Sequence, residues 1–210
     1  MVDEHFRARA RHHSLDFAHR FGGRFLSWPT GDSGEAWSFF VDASLDAVRQ
    51  DDLHLVRGEL RTALEQGLPA GQLRERLALA VRGRAHLQHD LDVLARWELH
   101  TALDYGHFMA WMEKARSEGI PEPRVVRFTT RHTSGYCKGL YGQPDQVREH
   151  RASDVLLNTV RGGNLGRTEE AWAPVIGPTH LTCHCGRWVF ENDWISWSAW
   201  RAARDAVGGW

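Results

Sequence analysis

Residues 85–117 read AHLQHDLDVLARWELHTALDYGHFMAWMEKARS, and this stretch decides the fold class. At about 100° per residue, Leu87, Leu91, Leu94, Ala102, Tyr105, Met109 and Met112 fall on one side. The stretch therefore predicts one long amphipathic helix. Gly106 is its weak point, and Gly119 with Pro121 ends it. Glu98 sits inside the apolar stripe, where an ionised carboxylate must be paired, be hydrogen-bonded or have its pKa raised.

Shorter helices are predicted on the N-terminal side. Phe6, Ala10, Phe17 and Phe21 recur at helical spacing over residues 4–20, closed by Gly22 and Gly23. Ser33 can cap a helix carrying Trp37, Val41, Leu45 and Val48. Asp51 or Asp52 can cap another with Leu53, Val56, Leu60 and Leu64, stopped by Gly67 and Pro69. Leu73, Leu77, Ala80 and Val81 mark a further helix from Ala70. Residues 1–120 thus read as a helical bundle.

Composition changes beyond residues 118–123. Val125 to Thr130 and His180 to Phe190 are β-prone, with glycine-rich loops between them. A short helix is predicted over 145–160, and a last helix over 193–207 after Asn192. Residues 121–210 therefore read as a smaller mixed subdomain with a short antiparallel sheet and a C-terminal helix. The fold class is α+β, with the two parts possessing separate cores or sharing one.

Bulk properties narrow the function classes. The chain has 210 residues, 42% of them hydrophobic, and a formal charge of −1. No run approaches the roughly 18 apolar residues of a membrane span. The charged start, Met1 to His13, lacks the apolar middle of a secretory signal, so a cytoplasmic protein is expected. With no excess positive charge, contact with nucleic acid requires a local basic surface. Ten tryptophans supply large apolar area, suited to a core, a pocket or a self-association surface.

The sharpest local feature is Cys183-His184-Cys185-Gly186. On a strand the two cysteines share a side, and at a tight knuckle both sulfurs could reach one ion. Cys137 can supply a third ligand, and His132, His180 or His184 a fourth, giving a Cys₃His site for zinc. The C-x-C-G run resembles the first half of SWIM-type zinc modules over four residues; the C-x-H that continues that family does not follow here. Buried thiols, or a reactive Cys137 near His132 and Lys138, are the alternatives.

Two functions follow. In the first, the Cys/His subdomain binds nucleic acid or a protein partner through Arg127, Arg131, Lys138, Tyr136 and Tyr141, a combination suited to phosphate contacts and base stacking. In the second, a small-molecule enzyme uses His100, Asp104 and His107, spaced i, i+4, i+7 on one face of the long helix, with Glu98. That triad suits zinc, iron or manganese in a pocket between the two halves.

Overall fold

A computed structural model of the chain describes residues 4–22, 50–82, 91–129, 133–143, 146–161, 164, 171–177, 179, 185 and 188–193. The elements are α1 (Glu4–Phe21), α2 (Gln50–Gln66), α3 (Ala70–Ala80), α4 (Leu91–Ser117), β1 (Arg124–Arg127), α5 (Gly135–Tyr141), β2 (Gly142–Gln143), β3 (Gln146–Val147), β4 (Glu149–Arg151), α6 (Ala152–Val160) and β5 (Trp188–Phe190). The fold is α+β, helical first and mixed behind. Two compact units comprise Met1–Gly106 and His107–Trp210, so residues 91–106 of α4 belong to the first and residues 107–117 to the second. No helix among the described residues is long and apolar enough to cross a membrane. The helices predicted around Trp37 and over 193–207 lie outside the described residues.

In the first unit the apolar periodicity becomes the core. α2 buries Val56, Leu60, Ala63 and Leu64, and α3 buries Leu73 and Leu77. Gly67 takes a φ of 66°, a left-handed conformation cheap only for glycine, and so turns the chain between the two helices. Arg76 Nε donates to Glu59 Oε2 across them at 2.6 Å. Along α1, Ala10, Ser14 and Ala18 are buried at four-residue intervals, with Phe17 beside them. This small-residue stripe meets Gly106 of α4: a Cβ placed there would run into Ser14 Oγ and the Ala10 carbonyl oxygen. Close approach of the two backbones also seats the Phe17 and Tyr105 rings 4.7 Å apart. Gly106 therefore does not weaken α4, which runs through it; it admits α1.

The second unit is built on an antiparallel sheet of order β4-β1-β5. Val125 opposes His150 and Phe190, and Arg127 opposes Trp188. Opposed residues share a face, so Val125, Arg127, His150, Trp188 and Phe190 form one side of the sheet. Phe108 packs edge-on against Phe190 at 4.7 Å and Trp188 at 6.0 Å. The other side holds Val126 and Val189, with Phe128 and Val147 against them. Asn192 Nδ2 donates to Glu118 Oε2 at 2.9 Å and ties the exit of β5 to the end of α4.

Two elements differ from the sequence expectation. The helix predicted over 145–160 begins only at Ala152, because the residues before it are drawn into strands, β4 pairing with β1. The glycine-rich stretch at 135–141 is helical, not a loop. Ser134 Oγ caps it by accepting from the Cys137 backbone N–H at 3.3 Å, and the burial of Cys137 and Tyr141 holds it down.

Candidate functional site

The polar centre of the second unit lies beneath α5. Arg127, 2% exposed, stands on the central strand with its guanidinium 5.2 Å from the Tyr141 ring centroid and 5.6 Å from that of Trp188. One guanidinium nitrogen, Nη1, donates to the Val175 carbonyl at 3.1 Å and to Tyr141 Oη at 3.4 Å. Trp188 Nε1 donates to the same carbonyl at 3.1 Å. Tyr141 Oη also accepts from the Val175 backbone N–H at 3.3 Å. With both its lone pairs so engaged, the phenol's single proton goes to Thr179 Oγ1, 2.7 Å away. Burial raises the Tyr141 pKa above its ordinary value, Arg127 and Thr179 acting against it, so the phenol stays protonated and serves as a hydrogen-bond hub.

His150 borders this centre, its ring 6.1 Å from that of Tyr141 and 5.9 Å from that of Trp188. It hydrogen-bonds the Leu140 backbone, while its Nε2 is buried without a hydrogen-bond partner among the described residues. Burial pushes the His150 pKa down, the Leu140 bond opposing. The folded state then binds fewer protons than the unfolded chain, so the stability gained from a neutral imidazole is complete above the unfolded value of 6.5 and is lost as pH falls through the folded one. His150→Gln is expected to flatten the stability–pH curve just below about pH 6.5 in urea unfolding. An unaltered slope in that window would rule out a perturbed imidazole.

The surface over α5 is different in character. Tyr136 is 52% exposed and meets Trp172 edge-on at 5.7 Å. Lys138 is partly exposed, and Arg148, Arg151 and Arg161 are exposed. The Arg148 backbone N–H donates to the Tyr141 carbonyl at 2.7 Å, which places that arginine at the C-terminal end of α5. Arg124 and Arg151 oppose each other on β1 and β4, and Arg124 is bonded to Glu149 at 2.7 Å.

The sequence-derived sites fare unequally. Arg127 and Tyr141, expected on a surface patch, are interior residues; β1 is the central strand and buries three of its four positions. Tyr136 and Lys138 keep access to solvent, and Arg131 lies outside the described residues. Cys137 is buried and Cys185 half-buried, whereas His132, His180, Cys183 and His184 lie outside the described residues. On α4, His100 and His107 are exposed and Asp104 is partly buried. Glu98 is fully buried, about 200° around the helix from His100, so it does not join their face. No group of three or more His, Cys, Asp or Glu side chains that could hold a metal ion occurs among the described residues. Of the four described tryptophans, Trp97 and Trp188 are buried and Trp111 and Trp172 half-buried.

Sequence reasoning missed His150, Thr179 and the Val175 peptide. His150 fell inside a predicted helix, and the alternation that marks a strand needs more than the three residues of β4 to show. No known protein family, curated protein or solved structure matches the chain.

Proposed function

We propose that the second unit is a binding module for single-stranded nucleic acid, stabilised by a metal at its Cys/His cluster. The observation that carries the reading is an exposed Tyr136, on a helix held from beneath by the Tyr141 hub, paired with Trp172 from the 171–177 segment. A short helix gains little order from its own hydrogen bonds. Here the buried phenol fixes α5, and α5 presents the exposed ring of Tyr136 for stacking on a base. Lys138 and Arg148 on or beside α5, with Arg151 and Arg161 on the same unit, supply the cations that phosphates require. Arg127 and Tyr141 act as supports in this reading, and the contacts pass to Tyr136, Lys138 and Arg148.

Tyr136→Ala is expected to weaken binding to a single-stranded oligonucleotide by about 1–3 kcal/mol, the worth of one stacked base. Lys138→Ala should lower the slope of log K against log salt by about 0.7, the counterion released by one phosphate contact. Fluorescence anisotropy across a salt series reads both. Affinity that is insensitive to salt and to Tyr136 would sink the reading.

The metal is supported by donor chemistry. Cys137 lies on α5 and Cys185 just before β5, and both strands of chain belong to one compact unit. With Cys183 and one of His132, His180 or His184 they make up the four-ligand set that structural zinc takes. Purified protein is expected to carry about one zinc per chain, and to lose it with its fold on chelation. Metal-free protein with an unchanged melting temperature would remove zinc from the proposal.

A further inference from the structure

Trp172 opens an irregular segment whose backbone is held by side chains. The Ala173 N–H donates to Asn164 Oδ1 at 3.0 Å. Asn158 Nδ2, from α6, donates to the Ala173 carbonyl at 3.3 Å and to the Pro174 carbonyl at 3.1 Å. The Val175 N–H donates to Tyr141 Oη, and its carbonyl accepts from Arg127 and Trp188. The Ile176 N–H donates to Thr159 Oγ1 at 2.8 Å. Buried backbone groups must find partners, and here the partners fix the peptide that follows Trp172 on both its N–H and its carbonyl. Tyr136 is fixed separately, on α5, by the Ser134 cap and the buried Tyr141. Two independently anchored pieces of chain thus bring their rings together edge-on, centroids 5.7 Å apart and planes 65° from parallel. In a core such a pair is covered on all sides; here Tyr136 is 52% exposed and Trp172 half-buried.

We propose that Trp172 is a second stacking ring, and that the angle between it and Tyr136 selects a pyrimidine-rich single strand whose neighbouring bases are splayed apart. The proposal rests on the reading of the second unit as a nucleic-acid-binding module and specifies the ligand of that same site. A base stacked on a ring lies parallel to it, so bases held on these two rings lie about as far from parallel as the rings do, 65°. Successive bases of a stacked strand are parallel and about 3.4 Å apart. A strand must therefore unstack one step to engage both rings, and a duplex cannot engage them without breaking its pairs. Unstacking costs most in adenine runs and least in thymine or uracil runs, where neighbouring bases hold each other weakly and the backbone is flexible. An edge-on contact covers one face of one ring and leaves the other ring both its faces, so each ring keeps a face for a base. Because the edge contact and the two anchors set the ring planes, the site keeps its angle and the strand adapts.

The test uses the full chain with fluorescent oligothymidylate and oligoadenylate of equal length, whose phosphates are the same in number, so that the ratio of affinities reads the bases alone. The unaltered protein is expected to bind oligothymidylate about threefold to tenfold more tightly than oligoadenylate at each salt concentration. Trp172→Leu, with circular dichroism showing it folded, should weaken oligothymidylate binding about fivefold or more and bring the ratio close to one. Its salt slope should stay as it was, because a stacked base releases no counterion. Trp172→Phe restores a ring and should recover most of both affinity and ratio. A residue that only supported the fold would lower the two affinities together and leave their ratio alone. An unaltered protein that binds both strands equally, or oligoadenylate more tightly, would overturn the proposal, and this measurement decides even where Trp172→Leu does not fold. So would a folded Trp172→Leu with the affinity and ratio of the unaltered protein. Tyr136→Ala in the same series separates the two readings: loss there alone defeats only the second ring, and an unaltered protein that binds neither strand at any salt defeats both.

Discussion

Gly106→Ala is expected to destabilise the first unit by about 2 kcal/mol, and Gly106→Val by more, although each places a better helix former in the middle of a helix. The sign is the informative part. In a helix interior facing water, glycine to alanine stabilises by about 1 kcal/mol, since alanine loses less backbone entropy on folding. At Gly106 the new Cβ would collide with Ser14 Oγ and the Ala10 carbonyl oxygen, the latter being backbone of α1 that no rotamer change can move aside. α1 must then shift bodily, and the Phe17–Tyr105 ring contact at 4.7 Å shifts with it. Gly58 of α2 is the internal control, because nothing lies within 4 Å of a Cβ built there. Gly58→Ala should stabilise by about 0.5–1 kcal/mol. Ser14→Ala removes the Oγ but leaves the Ala10 carbonyl, so it should rescue Gly106→Ala only in part. Urea unfolding of the single and double variants measures all of these. Equal and positive effects at positions 58 and 106 would mean that α1 does not approach α4 as closely as described.

The contrast between these glycines marks how far the sequence could be read. α4 was legible because its apolar residues, Leu91 to Met112, repeat with one period for about six turns, and no tertiary contact was needed to see it. The role of Gly106 was not, because a glycine inside a helical pattern reads as a weak point until its neighbour is known. That neighbour, the Ala10–Ser14–Ala18 stripe, lies more than 80 residues earlier in the sequence. The second unit was harder for the same reason. α5 looked like a glycine loop because its helix depends on a cap at Ser134 and a buried Tyr141, each a local event with no period. Arg127 and Tyr141 looked like surface residues by type. Only the pairing of β1 with strands on both sides, β4 and β5, makes that position central and buries it. The cysteines that suggested a metal were visible as a pattern.

Arg127→Ala is expected to cost the second unit about 3 kcal/mol or more, and Arg127→Lys about 2 kcal/mol, so that lysine restores little of the loss. Three contributions disappear with the guanidinium. It donates to the Val175 carbonyl at 3.1 Å and to the Tyr141 hydroxyl at 3.4 Å, charge-assisted bonds in a region closed to water. Its plane lies within cation–π reach of two rings, at 5.2 Å and 5.6 Å, a geometry worth about 2 kcal/mol when desolvated. Its stem fills space that alanine would leave as a cavity. Lysine keeps charge and stem, and its ammonium can donate to carbonyl and phenol as Nη1 does, but it is compact and strongly hydrated where the guanidinium is broad, weakly hydrated and within reach of both rings at once. Thermal and urea unfolding give the magnitudes, and a loss below about 1 kcal/mol for alanine would show that the network is not what holds α5 in place. The lysine variant also decides what Arg127 is for. Under conditions where that variant is fully folded, its oligonucleotide affinity and salt slope should match those of the unaltered protein, since a buried cation releases no counterion when a phosphate arrives. A folded lysine variant with a shallower slope would instead return Arg127 to the phosphate contacts that its residue type first suggested. In that case the sheet face under α5 must open to admit the ligand.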